Sequence, residues 1–262
     1  MRALHTAATG MMAQELNVQV ISNNIANMRT TGYKRQRAEF QDLLYEHVSR
    51  VGTQTSAQGN ILPVGIDLGG GVKTVGTPRL MTQGTLSATG SSLDLAIRGD
   101  GFFKIQMPDG TYAYTRDGSF QMDAQGRIVT AQGNVVQPAI TIPPNSTGLT
   151  INAQGQVSVT PSGTTTSTVI GQLQTTRFIN QAGLLSTGDN LFTETPASGT
   201  PQDGLPSTDG AGDIQQGNLE QANVEAVSEI SDLIAAQRAY EMNGKVITAA
   251  DQMLSTTSNL MR

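Results

Sequence analysis

Apolar residues recur at heptad spacing at both ends of the chain. Near the N-terminus one line runs Leu4, Met11, Val18, Ile25, and a second runs Ala7, Gln14, Ile21, Met28. All but Gln14 are apolar, the a/d pattern of a helix packed lengthwise on another helix. Met12, Ala13, Leu16 and Val20 lie off both lines and are apolar too. A helix greasy on more than one side is enclosed by several neighbours. The stretch Asn27-Met28-Arg29-Thr30-Thr31-Gly32 ends it with polar residues, a cation and a glycine suited to left-handed backbone.

The C-terminal pattern is cleaner. A seam runs Ala226, Leu233, Tyr240, Ile247, Leu254, Met261, while Ala236, Asn243, Ala250 and Thr257, three residues further on, are small or polar. The opposite face, Ser231, Arg238, Lys245, Gln252 and Asn259, is polar at every step. Asn223 is placed to cap the helix, and Glu225 and Glu229 suit the positive end of its dipole. The pattern predicts a helix of about 38 residues, roughly 55 Å long at the usual rise, far above the roughly 11-residue mean of globular helices.

Between the termini the periodicity changes to two. Leu93-Asp94-Leu95-Ala96-Ile97, Phe102-Phe103-Lys104-Ile105 and Tyr112-Ala113-Tyr114-Thr115 read as strands, with Asp109-Gly110 and Asp117-Gly118 as hairpin-closing turns. A weak echo follows in Asp123-Ala124-Gln125-Gly126, Asn152-Ala153-Gln154-Gly155 and, more loosely, Asn180-Gln181-Ala182-Gly183. The irregular spacing points to repeated turn chemistry and not to a solenoid. The expected fold class is α+β: long terminal helices packed in a coiled-coil-like layer, with a central all-β domain of hairpins and extended connectors. The expected division is 1–32 and 222–262 for the helices, 33–92 for an extended connector, 93–193 for the β domain and 194–221 for the return connector.

Composition narrows the function. Only 14% of the 262 residues are charged, against roughly 25% in ordinary soluble domains. A net charge of −5 lacks the basic footprint that nucleic acid requires. With no cysteine, disulfide frameworks, thiolate metal sites and cysteine catalysis are excluded. No stretch approaches the ~20 apolar residues of a membrane span. Thr6, Thr9 and Gly10 interrupt the start too early for a cleavable signal peptide.

Catalytic patterns are scarce. His5 and His47 are far apart in sequence and share no helical register with carboxylates. Gly69-Gly70-Gly71 lacks the Lys-Ser/Thr of a P-loop and is read as unconstrained backbone. Gly99-Asp100-Gly101 reads as a tight turn into a buried strand. Asp67, Asp94, Asp100, Asp109, Asp117 and Asp123 could in principle supply paired carboxylates for glycan hydrolysis, but several sit at predicted turns, where Asp bonds its own backbone. No enzyme, cofactor, metal or small-molecule substrate is expected, and a secreted glycan-degrading enzyme is the remote alternative.

Both termini carry family motifs. Ser22-Asn23-Asn24-Ile25-Ala26-Asn27 with Thr31-Gly32-Tyr33-Lys34-Arg35 resembles the N-terminal signature of bacterial flagellar rod and hook proteins. Ala222-Asn223-Val224-Glu225, Ala236-Gln237-Arg238-Ala239-Tyr240-Glu241-Met242-Asn243 and Asp251-Gln252-Met253-Leu254 resemble its C-terminal one. The segments 34–45, Gly99–Phe103, Tyr114–Phe120 and Gln137–Pro143 resemble the distal-rod branch, as does the extension at 46–72. The resemblance implies a structural subunit that stacks helically with copies of itself into a hollow drive shaft, with a proximal rod or hook subunit as the alternative. It implies that Leu4, Met11, Val18, Ile21, Ile25, Leu233, Tyr240, Ile247, Leu254 and Met261 pack between helices and subunits. Ser231, Arg238, Lys245, Gln252 and Asn259 would line the export channel. The partners it implies are further copies, proximal rod proteins, the hook protein, periplasmic and outer-membrane ring proteins as bushing, and the flagellar export apparatus. The expected location is the basal body, where the rod crosses the periplasm.

Overall fold

The computed structural model describes residues 2–51, 64–163, 166–208 and 210–260. The fold is α+β, with a helix at each end and a strand-rich middle. It divides into two compact units: Met1–Ile25, Gln36–Pro78 and Glu225–Arg262 form one, and Ala26–Arg35 with Arg79–Val224 form the other.

The helical unit is built on α1 (Arg2–Ala26) and α2 (Ala226–Leu260). The heptad pattern therefore produces helices close to the expected lengths, 25 and 35 residues. They run antiparallel: Asn24 donates to Glu229 at 3.2 Å, while further back Gly10 lies against Asn243. Two strand pairs lie in the segment expected to be a plain connector, Glu39–Asp42 with Val72–Gly76 and Tyr45–Ser49 with Ile66–Gly69, both antiparallel. The second pair is exposed along almost its whole length, so it lacks the apolar-in, polar-out alternation that marks a strand in sequence. Gly71 is not unconstrained backbone. Its φ is +114° and a Cβ there would lie 2.3 Å from Thr9 Oγ1, so α1 itself demands the glycine.

The β unit centres on the strand Phe102–Gln106, which pairs along one edge with Tyr112–Thr115. Its other edge is shared end to end by Val135–Gln137 and Thr175–Arg177. Successive side chains of a strand point to opposite faces, and here both faces are covered. Phe103 and Ile105 join the larger core with Leu95, Ile97, Phe120 and Val136. Phe102 joins Tyr114, Phe178, Leu184 and Phe192 on the other side. Edge-to-face ring pairs tie that second cluster together, with centroids 4.8 Å apart for Tyr114–Phe178 and 5.9 Å for Phe102–Phe178. Scarce aromatic residues are thus concentrated where one sheet needs filling on both sides.

The turns follow local chemistry. Asp123 and Asn152 each accept a hydrogen bond from the backbone four residues on, and Gly126 and Gly155 take positive φ, so the first two echo segments form the same turn. The third, at Asn180, instead leads into a short 3-10 helix, Gln181–Gly183. Asp117-Gly118 closes no hairpin. Its Asp accepts from Ser119, and Gly118 passes so close to Leu95 that a Cβ would lie 1.6 Å from the Leu95 carbonyl oxygen. Tight backbone approach, and not turn geometry, selects that glycine.

Candidate functional site: helix surfaces and a buried charge cluster

On α1, Ile21 is buried, and Leu4, Met11, Val18 and Ile25 are half-buried. On α2 the deepest line is Glu229, Ala236, Asn243 and Ala250, the small and polar positions beside the apolar seam. Within the chain this line meets α1, because the contacts at Asn24 and Gly10 fall on it. Leu233 and Ile247 on the neighbouring seam are half-buried, Tyr240 and Leu254 are exposed, and Met261 lies outside the described residues. Tyr240 and Val18 form the apolar part of a groove of about 420 Å³ between the helices, with Glu15 and Glu241 on its walls. Ser231, Arg238, Lys245, Gln252 and Asn259 are all exposed. So are Val227, Ile230, Ile234, Met242, Val246 and Met253, at 46–74% of their full surface. That is a large apolar area for a helix to leave open to water.

The β unit holds a feature that sequence reasoning missed. Lys34, Arg116 and Glu220 come together, each almost wholly buried. Lys34 Nζ donates to Glu220 Oε1 at 2.5 Å and to the Thr82 carbonyl at 2.8 Å. Glu220 Oε1 also accepts from Gly84 N at 2.9 Å, and Oε2 lies 3.5 Å from Arg116 Nη1. Arg116 donates to the carbonyls of Ile97 and Gly99 at 3.2 and 2.7 Å and lies over the Phe102 ring. Burial pushes the Lys34 ammonium below its ordinary pKa; Glu220 opposes this and Arg116 reinforces it. Burial likewise lowers the pKa of Arg116.

The motif residues bring this cluster together. Gly32 has φ +68°, and a Cβ on it would meet Asp117 N at 2.6 Å, so only glycine lets the Thr31–Arg35 segment reach the Arg116–Asp117 turn. Gly32 N then donates to the Glu220 carbonyl at 2.8 Å. Asn223, expected as a helix cap, does other work: its Oδ1 accepts from Arg35 N and its amide donates to the carbonyls of Leu80 and Thr82. The helix begins three residues later, at Ala226. Asn223 thus ties its own segment of the β unit to two others, at 35 and at 80–82.

The candidate chemical residues are placed apart. His47 lies 2.6 Å from Asp67 across an exposed hairpin, a pairing that helical spacing could not reveal. Asp94, Asp109, Asp117 and Asp123 are engaged by neighbouring hydroxyl, backbone or arginine groups. Hydrogen bonds from Thr111 hold Asp109 below the usual carboxylate range. Among the described residues no group of three or more His, Cys, Asp or Glu is placed to hold a metal ion, and no helix is long and apolar enough to cross a membrane.

Three family matches cover separate parts of the chain. Residues 4–34 match the flagella basal body rod protein family, 96–159 the flagellar hook protein FlgE/F/G D1 domain, and 215–260 the flagellar basal body rod FlgEFG protein C-terminal region. The chain is 55% identical to the flagellar basal-body rod protein FlgG of Caulobacter vibrioides over 99% of both chains. It is 49% identical to that of Agrobacterium fabrum over the full length of both. Similarity to the flagellar hook protein FlgE of Helicobacter pylori, 41% identical, spans 52% of this chain and 19% of that one. Signatures at both termini, a matching β region and full-length similarity agree: the chain belongs to the FlgG family of flagellar basal-body rod proteins.

Proposed function

We propose that the chain is a structural subunit of the distal flagellar rod, stacking helically with copies of itself into a hollow shaft. The shaft carries motor torque to the hook and forms part of the export channel. The observation that carries this reading is the apolar surface left open on α2 in a chain of this family. Fully burying a side chain of this kind contributes about 1.5–3 kcal/mol. For six residues already roughly half covered, assembly gains ~5–9 kcal/mol before the cost of ordering. Heterologous contacts whose rotation does not close build helical filaments.

In that assembly the seam Leu233, Tyr240, Ile247, Leu254 and Met261 packs against α1 residues of neighbouring copies, including Leu4, Met11, Val18 and Ile25, while Ile21 is buried within its own chain. The face Ser231, Arg238, Lys245, Gln252 and Asn259 lines the channel, where a polar, weakly charged wall gives a passing unfolded chain few sticky contacts. Proximal rod proteins and the hook protein adjoin the two ends of the shaft, the ring proteins surround it, and the export apparatus delivers each subunit. The role is mechanical and not catalytic, which fits the engagement of the candidate carboxylates in turns.

The test is concentration-dependent polymerisation of the purified chain, followed by light scattering and electron microscopy. The full chain should form tubes that deletion of 222–262 abolishes. A full chain that stays monomeric at all concentrations, alone and with preformed rod ends, overturns the reading.

A further inference from the structure

Of the fourteen asparagines in the chain, only Asn243 is followed by glycine. Such a pair is chemically unstable wherever its backbone is free. The Gly244 nitrogen attacks the Asn243 side-chain carbonyl carbon, and glycine, lacking a Cβ, does not obstruct the approach. The new N–Cγ bond closes a five-membered succinimide as the Cγ–Nδ2 bond breaks and ammonia leaves. Water then opens the ring at one of its two carbonyls, giving aspartate or isoaspartate.

The fold places this pair midway along α2, at the contact with α1. Asn243 is half-buried, and a Cβ on Gly10 would lie 2.9 Å from its Nδ2, 3.3 Å from Cγ and 3.4 Å from Oδ1. The carbon that must be attacked therefore rests on the bare backbone of α1. Two constraints oppose the reaction there. The helix commits the Gly244 amide hydrogen to the carbonyl four residues back, whereas attack needs that nitrogen free. The Asn243 side chain must also leave its seat on Gly10 to turn onto its own backbone. Packing within the chain does not account for Gly244: among the described residues, no atom outside its own stretch of helix lies within 4 Å of where a Cβ would stand. Glycine in mid-helix costs about 1 kcal/mol. The residue that makes the pair reactive thus also weakens the helix that guards it.

We propose that Asn243-Gly244 is a deamidation site guarded by the fold, closed while α2 is helical and seated on α1 and reactive in chains whose α2 is open. Isoaspartate adds a methylene to the main chain and breaks the hydrogen-bond ladder in mid-helix, so the change marks that copy permanently. The inference concerns chemistry within one chain and stands apart from the reading as a rod subunit.

Trypsin cuts after Arg238 and Lys245 and releases the pair in the peptide Ala239–Lys245. Mass spectrometry reads deamidation in that peptide, and chromatography separates its aspartate and isoaspartate forms. Purified full-length chain and the synthetic 239–245 peptide are aged in the same mildly alkaline buffer, with and without denaturing urea. In buffer the full-length chain should convert at least about tenfold more slowly than the peptide, because reaction waits on local opening. In urea the two should convert alike. Gly10→Ala pushes the Asn243 side chain off its seat while raising the helix propensity of α1. It should convert at least about threefold faster than the parent in buffer, whereas propensity alone would slow it. Gly244→Ala meets open space and should slow conversion in urea at least about tenfold by obstructing the attack. A full-length chain that converts as fast as the peptide in buffer overturns the proposal. So does a Gly10→Ala chain no faster than the parent, or a Gly244→Ala chain unslowed in urea. If Gly10→Ala fails to accumulate, the comparison of parent and peptide still decides.

Discussion

The buried Lys34–Arg116–Glu220 cluster makes an unequal prediction about which charge the β unit can lose. Two cations face one carboxylate, so the cluster carries a net positive charge. Glu220→Gln keeps the shape and an acceptor for Lys34 and Gly84, but removes the one carboxylate that buried Lys34 and Arg116 share, leaving only the field of Asp100 on Arg116. Removing one partner of a buried ionic group costs about 3–5 kcal/mol. Lys34→Met acts differently. It leaves Glu220 balanced by Arg116 at 3.5 Å and still bonded to Gly84 N, and the Thr82 carbonyl still accepts from the Asn223 amide at 3.1 Å. The loss is that of the two hydrogen bonds Lys34 makes, about 1–3 kcal/mol together. The double variant should cost less than the sum of the two singles, since Lys34→Met removes one of the two cations that Glu220→Gln leaves while Arg116 keeps its charge. Urea unfolding followed by the near-ultraviolet circular dichroism of the tyrosines reads the β unit, which contains Tyr33, Tyr112 and Tyr114. If Lys34→Met costs more than Glu220→Gln, or Glu220→Gln stays within about 1 kcal/mol of the parent, the charge argument is wrong.

Three further outcomes follow from geometry and ionisation. Gly32→Ala meets both a positive φ and a backbone clash at 2.6 Å, whereas Gly110→Ala has positive φ but open space. The first should cost at least about 2 kcal/mol more than the second in the same unfolding assay; equal costs would show that the Asp117 backbone yields freely. Burial raises the Tyr114 pKa from 10.0 to about 12, with Glu194 adding to the effect. Between those pH values the unfolded chain loses this proton and the folded one keeps it, so stability falls as pH rises from about 10 to about 12. Tyr114→Phe should remove that component from a pH series of melting temperatures, and identical alkaline losses in parent and variant would refute it. Gly118→Ala, with a Cβ 1.6 Å from the Leu95 carbonyl oxygen, should prevent the β unit from folding to protease resistance; a resistant variant would show that this turn can move.

What the sequence made legible was periodic. Both terminal helices follow from heptad lines, and the Phe102–Ile105 strand and its Asp109-Gly110 turn from alternation and turn chemistry. What it hid depended on pairing over distance. Lys34 stands in a charged, surface-like string with Arg35, Gln36 and Arg37, and only its meeting with residues 82 and 220 explains its burial. Asn223 carries the composition of a helix cap, yet its partners are at 35, 80 and 82, which no local rule could find. The exposed hairpin Tyr45–Ser49 with Ile66–Gly69 buries too little to impose alternation. On α2 the apolar seam drew attention first, although the contacts with α1 in the same chain fall on the small and polar line beside it. That division leaves Tyr240 and Leu254 of the apolar seam exposed.

Electron microscopy of basal bodies purified from a strain lacking this chain, and from the same strain with the gene restored, tests the central claim most directly. A short rod stub without a hook, extended to full length on restoration, is the predicted result. An intact rod and hook in the absence of the chain would contradict its role as a structural subunit of the distal rod.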